Sequence, residues 1–366
     1  MSLQIGIIGL PNVGKSTLFN ALTQTQEAEV ANYPFCTIEP NQAVVPVQDP
    51  RLDQLGKLVA VDNVIHTSIE FLDIAGLVEG ASRGEGLGNK FLGHIRSTDA
   101  LIHVVRCFED PSIIHISEKP EPVRDVDVIQ TELLLADLEQ LERKLEKIKA
   151  EEKGQKKPNP LGITAEQCIN HLQEGSSLRT FKHKDKPEFK TLNKELQFLT
   201  SKPVIYAANL AENDLQNDNP ALELLREFAD QEGSQVVKIS ALLEAEVANL
   251  ELKEKQEYLE LAGIYSSGLN KVIQAGYCML NLISFFTYNE SEVRAWTVEA
   301  GATAPEAAGK IHSDFQRGFI KAEVIPFDVF AKYGSSTAVR EAGKLQIEGK
   351  DYRVQDGDVI LFRFNV

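Results

Sequence analysis

No two cysteines in this chain stand at Cys-x-x-Cys spacing: Cys36, Cys107, Cys168 and Cys278 are scattered, with no histidine at metal-ligand spacing. That pattern excludes a zinc module and a disulfide scaffold and fits reduced thiols in a cytosol. Apolar runs stop short of the roughly 18–20 residues of a membrane span. Residues 4–10 are apolar but carry neither a basic leader nor a small-residue cleavage site, so a soluble, cytoplasmic chain is the expectation. Internal repeats and low-complexity tracts are also missing. Basic charge is in deficit, with 38 Lys and Arg against 54 Asp and Glu, a net −16. The surface as a whole therefore has no attraction for DNA or for an anionic membrane, and neither is expected as a partner.

What is present is ordinary globular material: 366 residues, 43% hydrophobic and 25% charged, enough for two or three domains. Apolar runs at 3–8, 68–73 and 100–107 read as strands of an α/β sheet, with 203–208 and 235–239 continuing it later. Between them, Leu134, Leu138, Leu141, Leu145 and Ile148 alternate spacings of four and three, a coiled-coil seam over 128–149. Gly154, Pro158 and Pro160 break it, and helical stretches at 164–171 and 187–199 complete an antiparallel helical arm. A helix is expected over 267–282. The last part reads as a small α+β domain, with strands at 282–286, 293–298, 322–325 and 359–364 around a helix at 305–316. The resulting division is 1–125 with 200–280 for a discontinuous α/β sheet domain, 126–199 for the arm and 281–366 for the terminal domain.

The first strand runs into Gly9-Leu10-Pro11-Asn12-Val13-Gly14-Lys15-Ser16, followed by Thr17 and helix-forming sequence. This is the phosphate-binding loop G-x-x-x-x-G-K-[ST] in its strand-loop-helix setting. Its glycines turn backbone N–H groups toward phosphate, and the helix N-terminus adds its positive end. Lys15 is a point charge for the β and γ phosphates, and the Ser16 hydroxyl is a hard ligand for Mg2+. Asp73, at the tip of a strand in Asp73-Ile74-Ala75-Gly76, suits the same ion, and Gly76 offers an N–H to the γ-phosphate. Thr37 can complete the metal shell as a nucleotide-sensing switch residue.

These motifs, the strand ending in Asn209, residues 32–41 and the glycine-rich 80–89 together resemble the Obg-like ATPase family, YchF type, over nearly the whole chain. The resemblance implies a P-loop domain with an inserted arm and a β-grasp-like TGS domain. It also implies a ribosome-associated ATPase. A guanine-specific relative would carry N-K-x-D where this chain has Asn209-Leu210-Ala211-Glu212, with an apolar residue in place of the lysine stem and a longer acid. A bidentate guanine clamp tolerates little displacement, so ATP is favoured, with GTP as a second substrate. Ser240-Ala241 stands where such folds touch the base through backbone groups.

After D-x-x-G, Leu77 occupies the place of the water-orienting glutamine of Ras-like enzymes and cannot hydrogen-bond a water. His115, on a loop read as mobile, and His94 are candidate replacements, and Asn12 is a candidate ligand for K+. Arg83 and Lys90 flank a second glycine-rich switch. Residues 143–190 carry 12 basic against 7 acidic side chains, with Lys153, Lys156 and Lys157 at a turn and Arg179, Lys182, Lys184 and Lys186 beyond it. This arm suits ribosomal RNA, with Phe181 available to stack on a base. The expected function is a nucleotide-dependent switch in translation or stress regulation. A binding module with incidental hydrolysis and a GTP-specific GTPase are the alternatives.

Overall fold

The computed structural model describes residues 3–29, 41–74, 87–115, 119–151, 159–248, 250, 252–261, 263–264 and 267–365. Strand β1 (Gln4–Ile8) leads into helix α1 (Lys15–Glu29), followed by β2 (Gln42–Val47), α2 (Pro50–Val59), β3 (Val64–Ile65), β4 (Thr67–Asp73), α3 (Leu87–Ser97) and β5 (Ala100–Arg106). Helices α4 (Pro122–Glu151), α5 (Pro160–Gln173) and α6 (Pro187–Leu196) come next. The chain then forms β6 (Val204–Asn209), α7 (Pro220–Glu232), β7 (Gln235–Ile239), α8 (Ala241–Val247), α9 (Leu252–Leu261) and α10 (Gly268–Met279). The C-terminal elements are β8 (Leu282–Tyr288), β9 (Val293–Glu299), α11 (Ala304–Ile311), α12 (Ser313–Arg317), β10 (Phe319–Pro326), α13 (Phe327–Tyr333), α14 (Ser336–Glu341), β11 (Gln346–Glu348) and β12 (Asp358–Phe364).

Among the described residues one sheet has the order β2-β4-β1-β5-β6-β7, and β4, β1, β5, β6 and β7 pair in parallel. Every residue of β5 and of β6 is buried, as central parallel strands covered on both faces require. Helices α2, α5 and α7 start with one device. Asp49, Asn159 and Asn219 each accept a hydrogen bond from the first-turn backbone, and a proline follows at the position where no amide donor is needed.

The chain falls into two compact units, residues 1–28, 36–43 and 70–276 in one and 29–35, 44–69 and 277–366 in the other. The segment 44–69, which the sequence reading assigned to the nucleotide-binding part, thus packs with the C-terminal residues. The reason is apolar burial: Leu52 and Leu55 of α2 share a core with Phe286, Val293, Ile325, Phe330 and Val359. In this unit the sheet order is β11-β10-β12-β8-β9-β3, with β12 parallel to β8 and antiparallel to β10, a β-grasp arrangement. The helix expected over 305–316 is broken in two at His312, whose backbone is extended. The helix expected to reach 282 stops at Met279, because Asn281 takes a left-handed conformation (φ 52°) that no helix continues through.

The inserted helices are more than a coiled-coil hairpin. Leu134 and Leu141 of α4 pack with Cys168, Ile169 and Leu172 of α5, Phe189 and Leu192 of α6, and Leu178, Phe181 and Phe198, a core of their own. Phe181 is 6% exposed and packed edge-on against His171 and His183 and tilted against Phe189, which corrects the expectation that it presents its ring to a base. Arg179 leaves the basic surface as well, since its guanidinium pairs with Glu232 at 2.9 Å. Lys182, Lys184, Lys186 and Lys190 remain exposed, and Lys153, Lys156 and Lys157 lie outside the described residues.

At the root of these helices, the fully buried Asp137 carboxylate accepts from Leu199 N (2.9 Å), Thr200 N (2.8 Å) and Thr200 Oγ1 (2.7 Å). Burial raises its carboxyl group while these bonds oppose the shift. Asp137→Ala strands two buried backbone donors and a hydroxyl, and is expected to cost about 3 kcal/mol in urea unfolding followed by circular dichroism.

Candidate nucleotide-binding site

Strands β1, β4, β5, β6 and β7 all end on the same edge of the parallel sheet, so the loops after Ile8, Asp73, Arg106, Asn209 and Ile239 converge there. The loop between β1 and α1 is shaped by two residues with positive φ, Asn12 (63°) and Gly14 (96°). The α-helix begins directly behind it, with Leu18 N donating to Gly14 O at 2.9 Å. Lys15 is 8% exposed, and its ammonium donates to Ile74 O at 2.7 Å and lies 3.4 Å from Asp73 Oδ1. That carboxylate oxygen is buried and accepts no hydrogen bond among the described residues. A buried, under-satisfied hard oxygen at the end of β4 and an exposed serine in the first turn of α1 are donor types that fit Mg2+.

Asn209 ties the loop after β1 to the start of α8. Its Nδ2 donates to Val13 O (2.9 Å) and its Oδ1 accepts from Ala241 N (2.9 Å). Both ends of one buried carboxamide are thereby used, which leaves a single orientation of the group. Leu210 is buried, with its N–H on Ile239 O, whereas Glu212 is exposed at the start of a 3-10 turn. Ser240 and Ala241 are buried at the start of α8. Thr17 is half-buried on α1.

Thr37, Gly76, Leu77 and Arg83 lie outside the described residues, as does the side chain of Lys90. His94 is exposed on α3. His115 is placed near the loop through its neighbour, since Asn12 Nδ2 donates to Ile114 O at 3.1 Å. Its imidazole, however, is 1% exposed, with Nε2 3.0 Å from Asp125 Oδ2. The loop leading to it is fastened rather than mobile. Arg106, 1% exposed, donates from its guanidinium to Phe108 O, Asp110 O and Ile113 O at 3.0–3.2 Å. Asp110 in turn accepts from Ser112 N and Oγ. Arg106, Asp125 and Asn219, whose Nδ2 donates to Cys107 O at 2.8 Å, escaped the sequence reading. An arginine closing an otherwise apolar strand and an acid in the first turn of a long helix were the signals available.

A side chain at position 14 meets two obstacles: positive φ, and a Cβ that collides with Asn209 Nδ2 and comes within 3.3 Å of Ala241 Cβ. Gly14→Ala is therefore expected to weaken ATP binding by more than about tenfold in a fluorescent-nucleotide titration while the C-terminal unit stays folded.

Comparison with known proteins agrees with this geometry. Residues 4–159 match a family described as 50S ribosome-binding GTPase, and residues 282–365 match the YchF-GTPase C-terminal family, described as a protein of unknown function. The chain is 51% identical to the ribosome-binding ATPase YchF of Haemophilus influenzae and 48% identical to that of Bacillus subtilis, in each case across the whole of both chains. The solved structure of the Schizosaccharomyces pombe YchF GTPase superposes with a TM-score of 0.88 at 36% identity, covering 99% of this chain and 98% of that one. A GTP-binding protein from Pyrococcus horikoshii, 21% identical with a TM-score of 0.62, covering 99% of this chain and all of its own, shares the fold. With its phosphate loop, its β-grasp C-terminal unit and half of its residues in common with these relatives, the chain belongs to the YchF family.

Proposed function

We propose that this protein is a ribosome-associated P-loop nucleoside triphosphatase that binds and hydrolyses ATP, accepts GTP as a second substrate, and works in the cytoplasm as a nucleotide-dependent switch in translation or stress regulation. The observation that carries the reading is the Asn209 carboxamide, which joins the phosphate loop to the base-reading loops. The names of the full-length relatives point the same way.

Backbone N–H groups of residues 12–17 and of Gly76 cradle the phosphates, and Lys15 exchanges its carbonyl and carboxylate partners for β- and γ-phosphate oxygens. Ser16, Asp73 and Thr37 would hold Mg2+, which neutralises phosphate charge when bound. The carboxamide oxygen of Asn12 is a ligand type that suits K+. At the base, Leu210 packs where a guanine clamp would place a lysine stem, Glu212 is displaced from a guanine-specific aspartate, and the Ser240-Ala241 backbone borders the ring. His115 positions the attacking water in place of Leu77. Three working parts are proposed: residues 1–125 with 200–280 for nucleotide, less the segment 44–69 that packs with the C-terminal unit, the arm at 126–199, and 281–366 as a TGS domain. Ribosomal RNA meets the arm through Lys153, Lys156, Lys157, Lys182, Lys184 and Lys186.

The burial of His115 against Asp125 favours one second reading, a nucleotide-dependent binding module in which hydrolysis is incidental. Titration of ATP and GTP against the purified protein, with and without ribosomes, separates the readings. Tighter ATP binding and turnover stimulated by ribosomes are expected. GTP binding at least about tenfold tighter than ATP would overturn the base assignment, and turnover indifferent to ribosomes at saturating nucleotide would favour the binding module.

A further inference from the structure

An imidazole that is 1% exposed meets almost no solvent, so His115 must leave its seat before it orients a water. Three features describe that seat. Asp125 Oδ2 lies 3.0 Å from His115 Nε2, and the carboxylate is itself 3% exposed. Beside it stands a cation, Arg124, with Nη2 3.8 Å from Asp125 Oδ1 and a side chain 40% exposed. The backbone just before the histidine is anchored on both sides, by Arg106 at Ile113 O and by Asn12 at Ile114 O. The path of the chain is thus held against the phosphate loop up to residue 114, and release of the ring is a rotation of the His115 side chain.

We propose that Asp125 is a positioning residue that clasps His115 away from the phosphate loop, and that Arg124 takes over the carboxylate when the imidazole departs. The inference rests on the reading of His115 as the water-positioning group. A buried carboxylate is costly to leave without a partner, so such a clasp opens readily where the carboxylate left behind keeps a counter-charge. Arg124 supplies that charge without having to be built into the core. Two of its other contacts, Glu121 Oε1 at 3.2 Å and Lys119 O at 3.0 Å, are on the surface. The Cys107 thiol also feels the carboxylate: burial, and then Asp125, push it up to about 12, so it stays neutral. Turnover scales with the fraction of molecules whose clasp is open.

The test uses five full-length variants, three single and two double, and reads kcat and KM for ATP without ribosomes. Asp125→Asn keeps the shape and removes the charge, and is expected to raise kcat by roughly 3- to 10-fold with KM little changed. Arg124→Ala removes the alternative counter-ion and is expected to lower kcat about 2- to 5-fold, an effect that disappears when Asp125→Asn is added. His115→Ala is expected to abolish most turnover, and Asp125→Asn combined with it to restore none. Because Arg124 is a surface side chain, its variant tests the clasp even where Asp125→Asn disturbs folding. Full turnover by His115→Ala would sink the role of His115 and the clasp with it. An inactive His115→Ala beside an unchanged or slower Asp125→Asn, or an Arg124→Ala with wild-type kcat, would overturn the clasp alone.

Discussion

One carboxamide holds the site together. Asn209 stands at the last position of β6, donates to Val13 O and accepts from Ala241 N, and so fixes two loops that are far apart in the chain relative to each other. The close approach explains why position 14 is glycine, since the space a Cβ would need is filled by the Asn209 amide. It also explains why Asn209 is buried although its neighbour Glu212 is exposed: the Asn209 carboxamide is bonded on both sides within the fold. A buried group with both ends satisfied has one orientation, and that orientation transmits the position of the sheet to the loops it touches.

A second carboxylate-centred junction sits where the inserted helices meet the sheet. Glu232, at the end of α7, accepts from Gln130 of α4, from Ser177 and Arg179 beyond α5, and from Tyr206 of β6. Nearby, burial and the Arg179 charge depress His103 to about 3, so that ring is neutral and packs against Tyr206 as a hydrophobic body. Such a network is costly to disturb in part, because each broken bond leaves a buried polar group without its partner. The helices are therefore joined rigidly at their base, and Tyr206 lies on the strand that ends in Asn209.

Much of the fold was legible because its signals are local. The strands at 4–8, 67–73, 100–106, 204–209 and 235–239 announce themselves as short apolar runs, and the phosphate loop by fixed spacing. What escaped is nonlocal. Nothing within 44–69 says that Leu52 and Leu55 bury against Phe286 and Phe330, more than two hundred residues away. Phe181 sits amid lysines and reads as exposed, yet it fills the core of the inserted helices. Asn209 was legible as a base-site residue, but not as the partner of Val13. His115 was legible as chemistry, while Asp125, which faces it from the next helix, and Arg106, which fastens its loop, became visible only through packing.

The central claim is that the Asn209 carboxamide organises the nucleotide pocket instead of merely lining it. Asn209→Ala, measured by titration with a non-hydrolysable ATP analogue alongside amide hydrogen exchange, tests this most directly. The account predicts binding weakened by well over about tenfold, with faster exchange at both residues 12–16 and residues 240–243 before any ligand is added. Wild-type exchange in both loops, with affinity reduced only as one lost contact would reduce it, would contradict it.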